Sequence, residues 1–180
     1  PRGPRGDRAW RPRLLNPPIA GEAPLPVRPS GGNRRQLEAR WLALLEGGES
    51  LPNDPGPGAA PPELSAAVGQ FNDGEYWECH ETLEGVWLAS EYPVRFFYHA
   101  VIKLAVGLHH AGRHNRHGSA VKLGDAVRLL RLFQPRYMGI ESHELLAAAA
   151  EWHGMVNIEG RLDWLAMDGV ERPKLERVKG

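Results

Sequence analysis

The sequence predicts an all-α fold, a compact bundle of four to five helices behind a Pro/Arg-rich N-terminal extension. Three observations predict it. From residue 62 onward, apolar residues recur at three- and four-residue spacing in segments that end at turn residues. No stretch sustains the period-two alternation of a half-buried strand. Thirteen of the 16 prolines fall in residues 1–62, where each removes an amide donor and fixes φ, so regular structure there must be short.

Taken in order, residues 1–32 are expected to form a flexible, basic, Pro-rich arm. Residues 33–61 are read as an outlying helix and a linker. In NRRQLEARWLALLEGG, Leu37, Trp41, Leu44 and Leu45 share helical spacing, and Gly47 and Gly48 can end the helix. The run LPNDPGPGAAPP then joins 34–46 to a bundle domain at 62–180. There, 63–72 is a first helix, closed by the turn NDG, and 76–90 is a second. Pro93 stands where a helix can begin, and 94–112 follows it. The turn RHNRHG leads to 118–133, and Pro135 and Gly139 break the chain before 142–153.

Formal net charge is zero, but the halves differ. Residues 1–40 hold nine of the 22 basic residues, all arginine, and three of the 22 acidic ones, leaving 13 basic and 19 acidic, net −6, in 41–180. The arm admits a nucleic-acid contact, or is simply solvated, whereas the body offers no basic stripe for reading a duplex. A single cysteine, Cys79, excludes an intrachain disulfide and fits a reducing compartment. There is no membrane-length apolar run and no basic segment leading into an apolar one, so a cytoplasmic protein is expected. The sequence identifies no partner and leaves a homo-oligomer open.

The chemistry concentrates in WECHETLEGVW, residues 77–87. At about 100° per residue, His80, Glu81, Glu84, Trp87 and Leu88 lie within roughly 80° of Trp77. Tyr76, Cys79, Leu83 and Val86 lie opposite. Apolar on two sides, the helix is expected to be central, with the His/Glu face buried. On the next helix, Lys103, Val106, His110 and Arg113 lie within roughly 40° of His99, and this stripe opposes the carboxylates if the helices pack antiparallel. Two readings follow. In one, Glu84 or Glu81 pairs with Lys103 and His80 joins a structural hydrogen-bond network. In the other, a divalent metal ion is held by His80, Glu84 and one or two of Glu81, His99 and His110, since HETLE resembles HExxH with its last ligand changed to glutamate. Five of the eight histidines fall between 99 and 117. Those at the helix end serve either a surface metal or anion site or simply a polar helix terminus. Asn115 and Gly118 suit a turn that needs positive φ. No P-loop, dinucleotide fingerprint or nucleophile elbow is present, and Cys79 points away from His80, as a small core residue would.

FNDGEYWECHETLEGVW followed by FFYHAVIKLAVGLHHAGRHNRHGSAVKL resembles the domain of unknown function 309 family of small all-helical proteins. The resemblance is carried by Phe71, Asn72, Gly74, Tyr76, Trp77, Glu78, His80, Glu81, Glu84 and Trp87, then by Phe97, Ile102, His110 and Asn115, and it covers about residues 63–133. His99 and Lys103 stand where the family pattern has glutamines. The family is sometimes labelled a predicted metal-dependent hydrolase. On that label the ion would polarise substrate or activate water, and Glu81 would take the proton. Trp77, Trp87, Lys103 and Asn115 would surround the cluster. The rival expectation is a non-catalytic helical binding or scaffold module in which the cluster only fixes helix register.

Overall fold

The structure, a computed structural model, describes residues 25–47 and 52–178. Most of the arm read at 1–32 lies outside them. Seven α-helices follow one another among the described residues: α1 Arg34–Gly47, α2 Pro62–Asn72, α3 Tyr76–Ala89, α4 Val94–Gly112, α5 Arg116–Leu130, α6 Ser142–Val156 and the short α7 Trp164–Asp168. There is no strand among these residues, only isolated antiparallel bridges from Ile140 to Tyr137 and to Arg177. The all-α bundle is therefore as expected. The helix at α7 was not anticipated; it is one turn long, and Asp163 caps it by accepting from the Ala166 amide. No helix among the described residues is long and apolar enough to cross a membrane.

α4 is the axis of the bundle. Thirteen of its 19 residues are buried, among them Phe96, Phe97, Leu104 and Leu108. Its apolar residues run around most of the helix, so neighbours must cover it on several sides. α3 packs antiparallel to it, with Trp77 against His109 at one end and Trp87 against His99 at the other. α5 packs on another side, and Gly107 sets that distance: a Cβ there would lie 2.8 Å from the Leu123 side chain and 3.1 Å from its backbone nitrogen. α2 packs on α3 and α6 on α5.

The helix expected to be outlying is part of this core. α1 buries Leu37, Trp41 and Leu45 in the common hydrophobic cluster. Trp41 stacks on Tyr92 with ring centroids 6.1 Å apart, and its indole donates to Pro26 O at 2.8 Å. Glu46 receives two hydrogen bonds from Arg128, at 2.5 and 2.7 Å. The reason is general: an apolar stripe with Trp and Leu gains more by covering α4 than by facing water. Residues just before α1 dock as well. Val27 O accepts from the Tyr92 amide at 2.9 Å, and Arg28 pairs with Glu91 at 2.8 Å.

The C-terminal segment straps back across the bundle. Asn72 holds it at both backbone groups of Leu175, accepting from its amide at 2.8 Å and donating to its carbonyl at 3.1 Å. Lys174 donates to Asn72 O. Arg172 lies over the Trp152 ring, 4.4 Å from its centroid, and the Trp152 indole donates to Glu171 O at 3.0 Å. The adjoining FNDG run is thus structural: Phe71 is core, Asn72 is the clip, and Gly74 turns the chain at φ 83°.

Two stability tests follow. Gly107→Ala should destabilise by about 1–3 kcal/mol in chemical denaturation, although alanine is the better helix former by about 1 kcal/mol, because the Leu123 backbone cannot move aside cheaply. Asn72→Ala should cost about 1–3 kcal/mol and raise hydrogen exchange in residues 171–178 more than in α4.

Candidate functional site

α3 buries one face, not two. Cys79 and Leu83 are fully buried, and Tyr76 and Val86 pack beside them. The Cys79 thiol is pushed up to about 12 by that burial. On the other side Trp77 is 46 % exposed and Leu88 53 %, and Glu78, Glu81 and Glu84 are exposed. His80 and Trp87 sit at the boundary. The expected buried His/Glu cluster is therefore not formed. The angular reading was sound, but it took Trp77 and Leu88 as core markers. Apolar identity does not force burial: Cys79 and Leu83 are fully covered, whereas α4 reaches the other side only through His109 on Trp77 and His99 on Trp87.

The facing stripe on α4 also finds other partners. Lys103 turns to α5 and meets Asp125 at 2.6 Å, so it is not the partner of Glu84 or Glu81. His99 lies against Trp87, ring centroids 4.8 Å apart, with Glu38 of α1 3.7 Å from its Nδ1. Burial lowers its pKa to about 4, and the charges of Lys103 and Arg34 act in the same direction. Asp125 acts the other way, favouring the charged ring, but does not outweigh desolvation. Trp87 itself is stacked by two guanidinium groups, Arg34 at 4.4 Å and Arg95 at 4.8 Å from the ring centroid. Arg95 is only 3 % exposed. It donates to Leu88 O at 3.0 Å and Ser90 O at 3.3 Å, so the negative end of α3 stands where a carboxylate otherwise would.

At the far end of α4, His110 Nδ1 lies 3.3 Å from Asn115 Nδ2. Burial lowers the pKa of His110, helped by the neighbouring His109, Lys122 and Arg113. Asn115 is the N-cap of α5, its Oδ1 accepting from the Gly118 amide at 3.0 Å. Neither Asn115 nor Gly118 takes the positive φ expected of them; His114 does, at 55°. His114 is held there by stacking on Trp164 at 4.8 Å and by Asp168 at 3.3 Å. Gly118 is required for a different reason, since a Cβ there would sit 2.8 Å from Asn115 Nδ2.

The residues named for a metal thus occupy separate environments. His80 stacks on Trp77 with centroids 4.9 Å apart, and its Nδ1 is buried with no hydrogen-bond partner among the described residues. Glu84 faces outward, His99 is under α1 and His110 is at the α5 cap. No group of three His, Cys, Asp or Glu side chains able to hold a metal ion occurs among the described residues. The donors present among the described residues do not fit the ion that the family label implies. Glu81, the expected base, stands on the exposed face with Glu84.

What these positions do form is an acidic, aromatic surface. Between Arg40 and Arg95 the chain has no lysine or arginine. Asp73, Glu75, Glu78, Glu81 and Glu84 are all exposed along the α2–α3 hairpin. Trp77 is fixed in their midst by His80 and by His109, 5.5 Å away. A charge count by segment would have found this surface; a count over halves of the chain dilutes it.

An antiparallel helical hairpin with an outward signature face on α3 defines the class, a small all-α domain. A family model described as Domain of unknown function (DUF309) matches residues 64–122, from α2 into α5. No curated protein and no solved structure matches the chain.

Glu84→Gln should leave stability unchanged within about 0.5 kcal/mol, whereas Asp125→Asn, which strips Lys103 of its partner, should cost up to about 1 kcal/mol. His99 gives a pH test. Its folded pKa lies below its unfolded one, so the stability it supports is complete above about pH 6.5 and is lost as pH falls towards 4. The loss is on the order of 3 kcal/mol, and His99→Phe should flatten the pH dependence of the melting temperature in that window.

Proposed function

We propose that this domain is a non-catalytic helical binding module whose recognition face is the outer surface of α3, and that it takes a cationic, arginine-bearing protein segment. One observation carries the reading: Trp77 stands 46 % exposed among the exposed carboxylates of Glu78, Glu81 and Glu84. A guanidinium can stack on the indole and at the same time donate to a carboxylate one helical turn away. Packing on His80 and His109 holds the indole in place beforehand, which lowers the entropy lost on binding. The chain uses the same chemistry internally, where Arg34 covers Trp87 and Arg172 covers Trp152.

The test is an NMR titration of the full chain, following the Trp77 indole proton (assigned with Trp77→Phe). A hexa-arginine peptide should shift it saturably, and hexaglutamate should not. Glu81→Gln with Glu84→Gln should weaken binding at least fivefold, and hexalysine should bind more weakly than hexa-arginine because an ammonium stacks less well. Equal binding by the double variant, or a Trp77 signal that does not move, sinks the proposal. A zinc- or manganese-induced rise in melting temperature that Glu84→Gln abolishes would replace it with the metal-dependent reading.

A further inference from the structure

A second feature lies away from α3, outside most of the matched segment. The linker before α2, the turn at 136–140 and the C-terminal strap enclose a cavity of about 490 Å³, within the range of small-molecule sites. Its floor is apolar, formed by the buried Leu64, Met138 and Ile140. At its rim stand two arginines, Arg136 and Arg177, neither of which has a carboxylate partner within salt-bridge distance among the described residues.

The walls are held by specific contacts. Asp54 also lines the cavity, but its Oδ1 accepts from the amides of Gly56 at 2.9 Å and Met138 at 2.8 Å, so it serves as a brace between linker and turn. Gly139, at φ 77°, lets the turn approach the linker, since a Cβ there would lie 2.8 Å from Pro57 Cβ. Val178 N donates to Gly139 O at 2.9 Å, and Glu141 N to Glu176 O at 2.9 Å. That pairing carries Arg177 to the rim, where its Nη2 donates to Ser65 Oγ at 2.5 Å. The guanidinium is oriented by a neutral partner and keeps its charge available.

We infer that this cavity binds an amphiphilic carboxylate, with an alkyl chain on the Leu64/Met138/Ile140 floor and the carboxylate between Arg136 and Arg177. The charge sum favours an anion: two arginines against Asp54, whose carboxylate is engaged by backbone amides. The apolar floor favours a chain over a bare ion, because burying alkyl carbons there removes them from water. Two guanidinium groups favour a carboxylate over an alcohol, since each can donate in a paired geometry.

The experiment is calorimetric titration of the full chain with decanoate, acetate and decanol. Decanoate should bind saturably below its micellar concentration. Acetate should not saturate, and decanol should bind at least tenfold more weakly. Arg136→Gln with Arg177→Gln should weaken decanoate at least tenfold at unchanged melting temperature. Ala60→Trp, which fills the cavity and leaves both arginines, should also remove binding. The inference is overturned if decanoate does not bind, if decanol binds as tightly, or if either variant binds decanoate like wild type. Acetate binding as tightly as decanoate would likewise overturn it, reducing the site to a surface anion contact.

Discussion

α4 needs cover on several sides, and each other element takes its place by supplying that cover. Phe96, Phe97 and Tyr98 are consecutive and all buried, about 100° apart around one helix, so one neighbour cannot bury them. α3 and α5 flank it, α5 at the close distance that Gly107 permits. α1 meets its N-terminal half through Glu38, 3.7 Å from His99, and the residue pair leading into it through Trp41 on Tyr92. Arg172 of the C-terminal strap donates to Leu108 O at 3.3 Å, tying the far end. Burial of this one helix explains why a chain with a long Pro-rich beginning still forms a single hydrophobic cluster from Leu37 to Leu175.

Most of the fold was legible because helical periodicity and its punctuation are local properties. Gly74, Pro93 and the RHNRHG turn mark element ends close to where they fall. The errors concern what lies far apart in sequence. Nothing near Leu37 or Trp41 says that their partners are Tyr92 and α4, so an amphipathic helix between Pro-rich segments read as outlying. Nothing near Asn72 says that its side chain will meet Leu175, 103 positions away. The boundaries of α5 moved because Asn115 caps at its own position and the left-handed residue is His114.

The site was legible in its angles and not in its environment. The wheel placed Trp77, Glu81, Glu84 and Leu88 on one face, and they do share one. It could not say whether that face meets protein or solvent, because this depends on how many helices pack around α3. Lys103 shows the same limit: its direction on α4 was read well enough, but a lysine between two helices can answer a carboxylate on either, and Asp125 lies nearer. The histidines were grouped by sequence density. In three dimensions they separate into a Trp77 pair, a Trp87 contact, an α5 cap and a Trp164 stack.

Cys79 sits at the middle of α3 with no exposed surface, on the side opposite the acidic face. A thiol reacts as its thiolate, and burial holds this one protonated throughout the physiological range. The chain has no other cysteine, so thiol-directed reagents and mixed-disulfide exchange have nothing to attack while α2, α3 and α4 remain together. Its modification rate is therefore a clock for the opening of that three-helix core. Ligands bound to the outer face of α3 or near the C-terminal strap would slow the clock without touching the sulfur, by making the closed form more populated.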